Sequence, residues 1–222
     1  VPLELTEILA GRGFGGAAPT GASIPAAVLT MELQRGVMGD LATFPELAAA
    51  ARQRDIVTHA ARLLTAFRRL GLPVVHCTAE FRADRTGTIA NTPLHTAVLR
   101  RPEHLLEHTP ATELVPDLGA QGGDHISVRH HGVAPFIGTD LGVLLEELGI
   151  RVLVVAGVSV NLGVLGLCVE AVNSGYQVVV ATDAVTGVPL EYADAVMANS
   201  VALVAALHPV DEIIAALGVL TR

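Results

Sequence analysis

At 222 residues the chain is long enough for one sizeable α/β domain, whereas two domains would each keep only a small core. Hydrophobic residues make up 51% and charged residues 16%, which predicts a large buried interior and apolar surface left over for a homo-oligomer, a dimer or a tetramer. The net charge of −8 excludes the clustered cations that nucleic-acid backbones require.

All fourteen basic residues are arginine, and lysine is absent. That removes a phosphate-binding P-loop lysine, a Schiff-base lysine and any lysine polarising a substrate carbonyl. Cys77 and Cys168 are too few for a disulfide framework, and no basic, apolar, small-residue leader pattern precedes Gly11, so a reducing cytoplasm is expected. Residues 152–169 are apolar enough to cross a bilayer by length alone. Gly157, Gly163 and Gly166 instead divide them into strand, turn and helix, and no membrane partner is expected.

In chain order, residues 1–25 are rich in Gly, Pro and Ala without a sustained period and read as an N-terminal arm that packs on a neighbour or stays mobile. Gly11, Gly13 and Gly16 fit G-x-G-x-x-G, but no strand precedes them and "AAPTGASIP" cannot open the helix a dinucleotide needs, so no cofactor is expected. The first strand, 26–32, brings Glu32 to its C-terminal end. A helix follows the Pro45 start signal, with Ile56, Ala60, Leu63, Leu64 and Phe67 at helical spacing up to Gly71. After a buried strand at 73–81, in which His76 reads as a strand-end histidine, the polar, Pro-punctuated stretch 82–121 suggests a substrate-facing excursion. Within it His104, Glu107 and His108 match H-x-x-E-H, but the segment is short and Pro-bounded, without an evident third ligand, so no metal is expected.

Strand and helix then alternate: strand 126–131, helix 139–149, strand 152–157, helix 162–174, strand 177–184, helix 190–204 and a short strand near Leu207. Continuous apolar strands in such alternation predict a Rossmann-like three-layer α/β/α domain over 26–222, with a central parallel sheet of about six strands. Ligands in such folds bind beyond the carboxyl ends of the strands, where Glu32, His130 and the 158–163 turn fall.

"AAVLTMELQRGV", the stretch from "RHHGVAPFIGTDLGVLLEELG" through "VSVNLGVLGLCVEAVNSGYQVVVATDAV", and the closing "DEIIAAL" resemble the isochorismatase-like hydrolases, a superfamily that includes nicotinamidases and N-carbamoylsarcosine amidase. The resemblance implies an aspartate, a lysine and a nucleophilic cysteine at positions that here hold Glu32, His130 and Gly163. Cys168 lies five residues beyond Gly163, about 140° around a helix and about 7.5 Å along it, so it points elsewhere; Cys77 reads as a small buried hydrophobe.

True isochorismatases resemble this chain in carrying glycine at the nucleophile position, and they protonate carbon rather than form a thioester. The resemblance therefore makes Glu32 a catalytic acid, its longer arm using the room left by Gly163, with His130 as its pH-sensitive partner. It also implies a cis peptide at Val158–Ser159. Val158, Ser159, Gly163, Gln34, Arg82 and Phe136 are the expected oxyanion- and substrate-binding residues, with Arg82 and Arg85 either clamping a carboxylate or solvated at the surface. The expected function is acid/base hydrolysis of a small, anionic metabolite. The alternative is a family member that has lost its chemistry and acts as a small-molecule binder or oligomeric scaffold.

Overall fold

The structure, a computed structural model, describes residues 4–12 and 24–221. Its elements in chain order are α1 (Leu5–Leu9), β1 (Ala26–Met31), α2 (Arg35–Met38), α3 (Pro45–Gln53), α4 (Ile56–Arg69), β2 (Val74–Ala79), α5 (Pro93–Leu99), β3 (His125–Arg129), α6 (Leu141–Glu147), β4 (Val152–Val158), α7 (Leu165–Asn173), β5 (Gln177–Thr186), α8 (Leu190–Asn199), β6 (Ala206–His208) and α9 (Val210–Leu220). The six strands form one parallel sheet in the order β3-β2-β1-β4-β5-β6, the architecture expected from the alternation.

Alternate residues along each strand enter opposite layers. Ala26 and Val28 of β1, with Val152 and Val154 of β4, pack under Leu63, Leu64 and Phe67 of α4 and Ile213 and Leu217 of α9. Ala27, Leu29 and Met31, with Leu153 and Val155, pack on the other face against Leu141 and Leu145 of α6 and Leu167 of α7. Strands buried on both faces explain the unbroken apolar runs in the sequence.

Local results differ from the sequence reading: the helix read after Pro45 is two helices, α3 and α4, and α5 forms within the excursion. Part of the arm is ordered into α1, whose Ile8 and Leu9 are buried in the α4/α9 layer of the same chain; residues 13–23, which include most of the glycine-rich stretch, lie outside the described residues. The helix expected to start at Leu162 opens two residues earlier as a wide π-type turn over Val160–Val164 before α7 begins. Among the described residues, no helix is long and apolar enough to cross a membrane.

The sheet order places the switch point between β1 and β4, whose connections leave in opposite directions along the sheet. Such a crevice is where open parallel sheets bind ligands. β1 and β4 approach closely at Gly157, which has φ +120° and where a Cβ would run into the Met31 backbone. β4 ends in the cis peptide Val158–Ser159.

Candidate active site

Glu32 follows β1 with a left-handed φ of 51°, its N–H donating to Cys77 O at 2.9 Å across the β1/β2 junction. This backbone turn swings the carboxylate out of the sheet and over the β1/β4 crevice, where it lines a cavity of about 650 Å³. Its partner there is Arg129, the last residue of β3. Arg129 Nη2 donates to Glu32 Oε1, and its Nε donates to Gly132 O at 3.2 Å. The third nitrogen, Nη1, is buried without a partner among the described residues.

Arg129 is only 7% exposed, and burial pushes its guanidinium down to about 10, opposed by the charge of Glu170. It still carries its charge at neutral pH. The cation that faces Glu32 is therefore permanent under ordinary conditions, unlike a histidine.

The structure does not bring Glu32 and His130 together. Side chains alternate across a strand, so the residue after Arg129 points away. His130 Nδ1–H donates to Glu80 O at 3.2 Å, its carbonyl accepts from Thr88 Oγ1 at 2.6 Å, and it does not line the cavity. Arg129, one position before His130, is the residue the sequence reading missed. The signal available in the sequence was strand parity: Ser127 and Arg129 share the buried face of β3.

Gly163 and Ser159 line the cavity beside this pair, but the room next to Gly163 is not empty. A Cβ on Gly163 would meet Met31 Cε at 2.9 Å, so the Met31 side chain fills the place into which Glu32 was expected to extend. Ser159 Oγ donates to Asn161 Oδ1 at 2.7 Å, and its carbonyl accepts the N–H groups of Leu162 (3.1 Å) and Val164 (3.0 Å), which fixes the turn.

The other expected binding residues fall elsewhere. Gln34 is fully buried and spends its amide on structure: Oε1 accepts from Ala79 N at 2.8 Å, while Nε2 donates to Ala79 O and Thr112 O, both at 2.9 Å. Val158 is buried in the core. Phe136 packs against Tyr176 with ring centres 5.9 Å apart, and its N–H donates to Glu170 Oε2 at 2.9 Å. Arg82 is exposed and neither it nor Arg85 lines the cavity, so the carboxylate clamp expected of them is not formed there. Cys77 and Cys168 are also absent from its lining, and burial pushes both thiols up to about 12. His76 is buried between Thr30 Oγ1 (2.7 Å) and Asp124 Oδ2 (3.2 Å), away from the cavity.

Residues of the 82–121 excursion do reach the site, through Leu94, His95, Val98, His104 and Leu105. Pro93 opens α5 and Thr92 Oγ1 caps it by accepting the His95 N–H at 3.0 Å, which turns His95 inward. The His95 ring stacks on His131 at 4.9 Å. His104, packed against Phe81 and hydrogen-bonded to Thr43 Oγ1 at 2.7 Å, is held neutral down to about 4, mainly by burial and then by the charges of Arg101 and Arg85. Its H-x-x-E-H companion Glu107 accepts the Ala83 N–H at 3.1 Å, and no cluster of metal-binding side chains forms among the described residues.

The Isochorismatase domain family matches residues 26–212. Over 194 residues the chain is 28% identical to YecD, an uncharacterized isochorismatase family protein of Escherichia coli O157:H7, covering 86% of this chain and 95% of that protein. A second such protein, YwoC of Bacillus subtilis (strain 168), is 39% identical over 74 residues, a match covering 33% of this chain and 39% of YwoC. An isochorismatase family protein from Burkholderia thailandensis superposes with a TM-score of 0.73 at 26% identity, covering 87% of this chain and 96% of the other. With a domain match across most of its length and a solved relative that superposes over most of both chains, the chain belongs to the isochorismatase family of hydrolases.

Proposed function

We propose that the protein hydrolyses a small carbonyl-containing metabolite by acid/base chemistry, with Glu32 as the proton-transfer group, Arg129 as the electrophilic partner and no thiol nucleophile. The observation that carries this reading is the Glu32–Arg129 pair at the floor of the crevice with one guanidinium nitrogen left over. A carboxylate paired with a guanidinium is in its charged form and acts first as a base, a reversal of the acid-first role that resemblance to isochorismatases implied. In this scheme Glu32 takes a proton from water as the water oxygen adds to the acyl carbon. Arg129 Nη1–H donates to the carbonyl oxygen as it becomes an oxyanion. The bond to the leaving group then breaks, and that group departs with the proton returned by Glu32, giving a carboxylic acid and a protonated leaving group.

Gly163 supports the absence of a covalent intermediate, since the space beside it is occupied by Met31. The test is a screen of esters, amides, carbamoyl compounds and vinyl ethers with the wild type and Glu32→Gln. Loss of roughly 10²-fold or more in kcat is expected of the variant. Equal turnover by both removes Glu32 from the mechanism. Treatment with iodoacetamide under native conditions is expected to leave turnover unchanged, because both cysteines are buried.

A further inference from the structure

Much of the cavity lining is apolar, including Phe44, Leu47, Phe81, Val98, Leu162 and Val188. Its volume of about 650 Å³ lies well inside the range of roughly 300–1,000 Å³ that encloses drug-sized ligands. A one-ring amide would leave most of this wall in contact with water. The charges are equally informative. Among the described residues the wall holds two carboxylates, Glu32 and Glu46, and one guanidinium, Arg129, which Glu32 already neutralises. Of the imidazoles in the wall, burial holds His104 neutral, while His95 Nδ1 lies 2.9 Å from Thr92 Oγ1 and its Nε2 donates to Gly132 O at 3.3 Å. A carboxylate ligand would bring a third negative group to a wall whose one guanidinium is already paired.

Resting on the hydrolase reading above, we infer that the substrate is an uncharged acyl compound with a long apolar body, its carbonyl oxygen accepting from Arg129 Nη1 and its body lying along the Phe44, Leu47, Phe81 and Val98 wall. This replaces the anionic metabolite expected from the sequence, an expectation for which Arg82 and Arg85 were the candidate clamp. The orphaned Nη1 calls for one acceptor at the head, and the phenylalanine, leucine and valine side chains offer the body apolar contact.

The inference is tested by binding, apart from turnover. Isothermal titration of Glu32→Gln and of the wild type with butanamide, hexanamide and octanamide, and with the matching alkanoates, reads both features. Affinity is expected to rise about fourfold per methylene through the amide series, the fold-change that burying one methylene gives. At each length the amide is expected to bind more tightly than the carboxylate in the wild type. Affinity independent of chain length, or carboxylates binding more tightly than amides, overturns the inference. A fourfold slope without turnover of any acyl compound would leave the inference standing and remove the hydrolytic reading. Turnover of short amides with no slope would do the reverse.

Discussion

The Glu32–Arg129 pair sets the energetics of the site as well as its chemistry. The side chains are 16% and 8% exposed, so both ions are largely withdrawn from water. Removing only one leaves the other charged and uncompensated, which typically costs about 3 kcal/mol or more. Arg129→Met is therefore expected to lower the unfolding free energy by about that amount in urea titrations, and Glu32→Gln/Arg129→Met to recover much of it. Full additivity of the two changes would show that the pair is not energetically coupled. Met31 and Gly163 form a second coupled pair. Gly163→Ala is expected to cost about 1–2 kcal/mol by displacing the Met31 thioether. In a Met31→Ala background the same methyl should be accommodated within about 0.5 kcal/mol, and an unchanged cost in that background would place the conflict elsewhere.

At the scale of elements, regular β1/β2 pairing ends at the Met31–Cys77 pair, and beyond it Gln34 links the chain after β1 to the end of β2. Its side chain does there what backbone pairing does within the sheet, giving Ala79 both a donor and an acceptor and reaching Thr112 in the excursion as well. Gln34→Leu leaves the buried peptide groups of Ala79 and the half-buried carbonyl of Thr112 without this partner. A loss of about 2–4 kcal/mol is expected by equilibrium denaturation, with a larger fall in ligand affinity than in helix content by circular dichroism. The position of Gln34 near Glu32 was legible in the sequence, but its job was not. A polar residue two positions past a strand end can face a ligand or satisfy a neighbouring backbone, and only the course of residues 79–112 decides which.

For the whole molecule, the charge state of His104 ties cavity packing to acid stability. Folded, the ring stays neutral down to about 4; unfolded, it takes a proton near 6.5. The stability it contributes is therefore complete above pH 6.5 and is lost as pH falls towards 4, by about 3 kcal/mol over that window. Urea denaturation between pH 7.5 and pH 4.5 is expected to show a smaller loss for His104→Gln than for the wild type, and parallel losses would exclude His104 as a contributor. His76 is shifted in the same direction by burial, against the pull of Asp124, so some slope should remain in the variant.

The order of the six strands, the parallel sheet, the position of the carboxylate at the end of the first strand and the glycine at the head of the fourth crossover were legible without coordinates, whereas α1 and α5 were not. Each is a local or periodic property, and apolar runs buried on two faces leave little ambiguity about strands. The partner of Glu32 was decided by tertiary structure. One residue of register exchanges the faces of a strand, so Arg129 and His130 are indistinguishable by distance along the chain yet opposite in space. The same holds for the space beside Gly163: a missing side chain is visible in the sequence, but whether that place is open or filled depends on packing from β1, which delivers Met31 into it.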